Sequence, residues 1–86
     1  MPTRPSQNDP KRVKAWERRR RRVGLRIQRA RIERGLTQEQ LALLSGMSRN
    51  TLMDIEHGRR GILLERIFDI AKELGVSAAE LLEGVR

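Results

Sequence analysis

TQEQLALLSGMSRNTLMDIEH, residues 37–57, reads as two short helices hinged on one tight turn. Thr37 is placed to cap the first helix, and Gln40 three residues on can reach back to close a capping box, with Leu41 and Leu44 then expected to face inward. Ser45 and Gly46 stop that helix, because glycine tolerates the left-handed geometry a helix C-terminus often needs. After a turn of only a few residues Ser48 is placed to cap the second helix. Within it Leu52, Ile55 and Glu56 share one side, while Arg49, Asn50, Met53 and Asp54 share the other. One face is suited to packing, and the other is free to touch something.

Upstream, residues 1–9 (MPTRPSQND) hold Pro2, Pro5 and small polar side chains that cannot bury enough surface to offset the cost of ordering, and they are predicted to be disordered. Asp9-Pro10 is a plausible helix start, with Asp9 as the cap and Pro10 in the first turn, where its missing N–H costs nothing. If the helix continued to Arg34, then Val13, Trp16, Arg20, Val23, Ile27 and Ala30 would form one seam at spacings of three and four. Gly24 argues the other way, since a mid-helix glycine costs about 1 kcal/mol against alanine and the consecutive arginines just before it repel one another. Two readings follow: one bent or frayed helix, or a break near Gly24. Residues 23–34 are helical in both, and Gly35 is the stop.

Downstream, Gly58-Arg59-Arg60-Gly61 is a charged loop. The run LLERIFDIAKELG then repeats Leu64, Ile67, Ile70 or Ala71, and Leu74 at helical spacing until Gly75 ends it. Ser77 with Glu80 forms a second capping box for a last short helix holding Leu81 and Leu82. No stretch alternates with a period of two over strand length. The expected class is therefore all-α: a compact five-helix bundle containing a helix-turn-helix over residues 23–86, with a basic N-terminal arm or helix extension over residues 1–22.

A chain of 86 residues allows one domain, without room for a separate effector or catalytic fold. It has no cysteine, so neither disulfides nor thiolate zinc can brace it. No apolar run approaches the ~20 residues of a membrane span and no secretory signal opens the chain, so a soluble cytoplasmic protein is expected. The net charge of +8 is unevenly distributed: residues 1–35 carry 13 Lys/Arg against 3 Asp/Glu, and residues 36–86 carry 6 against 8. A basic segment joined to a near-neutral body suits approach to a polyanion. A basic membrane helix would need a continuous apolar face, which Trp16 alone does not provide. The acidic residues are scattered, there is no Gly-rich phosphate loop and His57 is the only histidine, so no catalytic residue, metal site or cofactor is expected.

The run GLRIQRARIERGLTQEQLALLSGMSRNTLMDIEHGRR, continued by LLERIFDIAKELGVSAAELL, closely resembles the Cro and phage-repressor-like, or XRE-like, helix-turn-helix family across residues 24–82. Gln38 opens the motif, Ala42 is the small residue where its helices cross, Gly46 makes the turn, and Leu52 and Ile55 are its core pair. The resemblance implies that the helix from Ser48 to about His57 lies in the major groove of double-stranded DNA. It assigns Arg49, Asn50, Met53 and Asp54 to base edges, and Gln38, Thr51, Arg59 and Arg60 to phosphates. Chemistry agrees independently for three of these: Arg pairs with guanine O6 and N7, Asn with adenine N6 and N7, and Asp accepts from cytosine N4. Asp54 would need a cationic partner to lie near phosphates, and Arg49 and His57 are the neighbours that offer one.

The arm RVKAWERRRRRV lies outside the resemblance, and physics alone suggests that Arg18, Arg19, Arg20, Arg21 and Arg22 contact phosphates, along the backbone or in the minor groove. The alternatives are an RNA-binding or membrane-surface tail, or a helical extension in which Val13 and Trp16 pack on the body or on a second subunit. The chain departs from many relatives at Gly61-Ile62-Leu63, where a side-chain cap gives way to two apolar residues. Ile62, Leu63, Phe68, Leu82 and Val85 are accordingly the candidates for a homodimer interface, a local staple over the core being the competing reading. The resulting expectation is a dimeric transcriptional regulator, most simply a repressor at a palindromic operator, with a toxin or RNA polymerase as the conceivable protein partner. The competing classes are an antitoxin-like interaction module and a nonspecific nucleic-acid binder led by the arginines.

Overall fold

The computed structural model describes residues 9–86, so of the disorder expected of residues 1–9 all but Asp9, which caps α1, lies outside the described residues. It contains five α-helices: α1 (Pro10–Glu33), α2 (Gln38–Leu44), α3 (Arg49–Glu56), α4 (Leu64–Leu74) and α5 (Ala78–Leu82). Each start follows from a local donor or acceptor. Lys11 N–H donates to Asp9 Oδ1 at 2.9 Å beside Pro10 in the first turn of α1. Both predicted capping boxes form, Thr37 with Gln40 on α2 and Ser77 with Glu80 on α5, and Ser48 Oγ accepts from Thr51 N–H on α3. Only α4 starts without a side-chain cap, at Leu63, which is the position where the sequence lacks one.

The α1 helix runs unbroken through Gly24. A Cβ at this position would lie 2.3 Å from the carbonyl oxygen of Ile55 and 2.6 Å from that of Glu56, so Gly24 is where α1 and α3 cross backbone to backbone. Of the two readings the single helix is the one formed, and Gly24 is the residue that permits the crossing, close packing offsetting its propensity cost of about 1 kcal/mol.

Val23 and Ile27 of α1, Leu41 and Ala42 of α2, Leu52 and Ile55 of α3, Ile67, Ile70, Ala71 and Leu74 of α4, and Leu81 of α5 make one core. Helix α1 is its spine, packing against α3, α5 and α4, while α2 rests on α3 and α4. Two apolar expectations are corrected. Leu44 is 52% exposed, and Ala42 and Ser45 occupy the inner side of α2 with Leu41, because a seven-residue helix packed along one stripe turns position 44 outward. Leu64, at 61% exposed, lies on the uncapped first turn of α4, outside the stripe that begins at Ile67. The body is short beside α1, which at 24 residues is about 36 Å long, so the molecule measures 50 × 26 × 19 Å.

Candidate nucleic-acid interface

Helix α3 divides as its sequence requires. Leu52, Ile55 and Glu56 are buried, Arg49 and Asn50 are exposed at its N-terminal end, and Met53 and Asp54 are half-buried beside them. Ser48 and Thr51 join through a hydroxyl–hydroxyl bond of 2.9 Å, and Arg60 Nη1 donates to the same Thr51 Oγ1 at 3.3 Å. With its oxygen accepting from Ser48 and Arg60, Thr51 keeps its own hydroxyl hydrogen for an outside acceptor. Asp54 pairs with Arg59, Oδ1 to Nη1 at 3.4 Å, rather than with Arg49 or His57. The His57 ring nitrogen Nδ1 faces the Met53 carbonyl at 2.9 Å, one turn back along its own helix, and Arg59 folds back over Asp54 from the loop. This pair is largely solvated and contributes little to stability; its effect is to place a cation beside the carboxylate on the outward face of α3.

The buried end of α3 is held by a polar network. Arg31 grips Glu56 with two arms, Nε to Oε2 at 2.7 Å and Nη2 to Oε1 at 3.1 Å, and its Nη1 donates to the Leu36 carbonyl at 2.9 Å. Gln38 Nε2 donates to Glu56 Oε1 at 3.1 Å. Three elements thus meet on one carboxylate whose side chain is fully buried, so the orientation of α3 is fixed relative to α1 and to the first turn of α2. Gln38, expected at a phosphate, has one amide hydrogen committed inward and the other left for solvent or a ligand. Sequence reading missed Arg31. The signal was Glu56 itself, since a carboxylate in register with Leu52 and Ile55 must find a cation once buried, and Arg31 lies one turn beyond Ile27 on the inner stripe of α1.

The arginines of the arm are brought to different places. Arg20 Nε donates to the Gly58 carbonyl at 3.3 Å, and a Cβ on Gly58 would meet the Arg21 backbone at 2.8 Å, so this side of α1 abuts the exit of α3, next to Arg59 and Arg60. Arg18, Arg19 and Arg22 instead border an open depression of about 190 Å³ with Gly84, Val85 and Arg86. Of the apolar candidates, Leu63, Phe68 and Leu82 are exposed at 68%, 58% and 39%, whereas Ile62 and Val85 are half-buried against the core. For those two the competing local-staple reading describes the packing. Among the described residues, no group of His, Cys, Asp and Glu side chains is arranged to hold a metal ion, and no helix is long and apolar enough to cross a membrane.

Against known proteins, the helix-turn-helix family model matches residues 27–81, most of the bundle. The chain belongs to the helix-turn-helix family. This helix-turn-helix chain is 42% identical over 59 residues, 69% of its length and 77% of the relative's, to an uncharacterised HTH-type transcriptional regulator, y4dJ, of Sinorhizobium fredii. Among solved structures it is similar to the restriction-modification controller protein C.AhdI of Aeromonas hydrophila, with TM-score 0.69 and 36% identity over 71% of this chain and 92% of that one. It is also similar to the clp gene regulator ClgR of Corynebacterium glutamicum, with TM-score 0.73 and 30% identity over 74% of this chain and 68% of that one. The protein is an XRE-type helix-turn-helix transcriptional regulator, and α2 and α3 are its motif.

Proposed function

We propose that the protein is a homodimeric, operator-binding repressor that reads a palindromic site through α3. The observation carrying this reading is the outward face of α3, where Arg49 and Asn50 stand exposed at the N-terminal end of a helix whose other end is fixed by the buried Arg31–Glu56–Gln38 network. A helix inserted end-on into a major groove presents its first turn to base edges, and Arg and Asn are the two side chains that bond guanine and adenine with paired contacts. Met53 and Asp54 flank them, Asp54 being tolerable near phosphates because Arg59 lies beside it. Gln38, Thr51, Arg59 and Arg60 surround this face as phosphate ligands, and Arg20 and Arg21, against the exit of α3, extend the phosphate contacts along α1.

Pairing of two copies would place two α3 helices about one turn of DNA apart. The support is that Leu63, at the start of α4, Phe68 on α4 and Leu82 on α5 are exposed large apolar side chains among the described residues. Because Ile62 packs on the core, Leu63→Asp with Phe68→Asp is the cleaner test: sedimentation should shift to monomer with the fold intact by circular dichroism, and an unchanged sedimentation coefficient rules this surface out. Selection of bound sequences from random duplexes tests the reading as a whole, with a symmetric pair of half-sites expected and no enriched sequence contradicting it.

A further inference from the structure

A run of five consecutive residues in an α-helix turns about 100° per residue, more than one full revolution, so Arg18 to Arg22 cannot all face one surface. The contacts show how they divide. Arg20 and Arg21 lie against Gly58 at the exit of α3. Farther along the same helix, Gly24 and Arg31 face α3 as well, the former against its carbonyls and the latter on Glu56. Arg18, Arg19 and Arg22 border residues 84–86, and Arg26, one turn on from Arg22, donates to the Glu80 carbonyl of α5 at 3.0 Å. In helical projection this second group is centred close to 180° from the first. With a helix diameter of about 10–12 Å, the two groups are centred on opposite sides of α1, with Arg21 at the boundary, where it also borders a depression with Arg18 and Arg22.

The two sides also differ in charge balance. Toward the C-terminal end of α1 the α5 side is neutralised, since Glu33, Glu80 and Glu83 share a depression with Arg26 and Arg29. Toward the N-terminal end that balance disappears. Arg18, Arg19 and Arg22 are all exposed, and Lys11 continues their stripe two turns upstream; Glu17, the one acid of this half, borders a depression with Lys14, Arg18, Arg21 and Arg22. Lys11, Arg18, Arg19 and Arg22 are four basic positions against that one acid, which makes a polyanion the complementary partner, and a membrane surface would need an apolar face that Lys11, Arg18 and Arg22 deny it.

We propose that this face of α1, made by Arg18, Arg19 and Arg22 with Lys11, binds the phosphate backbone of a second DNA segment, so that the protein bridges two duplexes. The inference rests on α3 reading DNA, because a duplex seated on α3 occupies the Arg20, Arg21, Arg59 and Arg60 side and leaves the opposite side free. Backbone contact needs no sequence, so the second segment can be any duplex, and each phosphate engaged steepens the salt dependence of bridging by about 0.9 in the logarithmic slope.

The test mixes the protein with two mixed-sequence 30-bp duplexes, one carrying a fluorescence donor and the other an acceptor, at low salt. Anisotropy reports binding of one duplex, and energy transfer reports bridging. Wild type should give energy transfer, and Arg19→Gln with Arg22→Gln should reduce it at least tenfold while single-duplex affinity falls no more than about threefold. Arg59→Gln with Arg60→Gln, equal in lost charge, should weaken single-duplex binding more than the first pair does. The proposal is overturned if the Arg19, Arg22 variant bridges as well as wild type, which would mean that two reading helices of a dimer do the bridging. It is also overturned if wild type binds single duplexes without energy transfer. Binding of no duplex at all sinks both this proposal and the DNA reading beneath it, and is distinguishable by anisotropy alone.

Discussion

Residues 23–33 of α1 carry Val23, Ile27 and Arg31 into the interior, whereas residues 10–22 carry charge past the body and meet it at Gly58 and at residues 84–86. The backbone is one helix throughout, yet the two halves are held by different forces. The inner half is fixed by apolar burial and by a desolvated ion pair, neither of which depends on anything outside the chain. The outer half packs less surface and presents most of its arginines to solvent, which is why the proposed role for it is in binding rather than folding. The difference teaches that helix continuity is not evidence of a common role. A propensity-neutral extension can ride on a well-packed helix as a rigid carrier of charge.

That contrast can be broken from the inner side first. Glu56→Ala leaves Arg31 buried without its carboxylate and frees the first turn of α2, and should cost about 3–5 kcal/mol in denaturant unfolding. Ile27→Ala removes a fully buried side chain at the centre of the core and should cost about 2–5 kcal/mol. Gly24→Ala drives a methyl into two α3 carbonyls and should cost about 1–3 kcal/mol, although alanine is the better helix former, so a stabilising result would overturn the account of the crossing. On the outer half, Trp16→Ala should change stability by no more than about 0.5 kcal/mol despite the size of the side chain, because Trp16 is 41% exposed on the projecting segment. A cost comparable to that of Ile27→Ala would show that the outer half is built into the fold after all.

Most of the fold was legible because its signals are local. Thr37 with Gln40, Ser77 with Glu80, and Asp9 with Pro10 each declare a helix start within four residues, and the stripe of Leu52, Ile55 and Glu56 declares which side of α3 is inward. What escaped the sequence depends on residues far apart in the chain. Gly24 leaves a single helix and a break both open until Ile55 and Glu56 are seen across from it, and Arg31 acquires a role only when α1 lies against the end of α3. Leu44 and Leu64 show a further limit: a leucine near the end of a short helix fits the apolar period about as well on the rim as in the core. In the candidate interface the outward residues of α3 were readable from periodicity. The Arg59 partner of Asp54 was not, because a loop residue has no period to follow.

The central claim is that Arg49 and Asn50 read bases on a helix whose orientation the buried network fixes. Its most direct test is the affinity of wild type, Arg49→Ala and Asn50→Ala for a site selected from random DNA and for the same site scrambled, at one salt concentration. The account predicts that each substitution weakens the selected site by about 1–3 kcal/mol, roughly 5- to 150-fold, and leaves the scrambled duplex nearly unchanged for Asn50→Ala. Equal losses on both duplexes, or none on either, would contradict it.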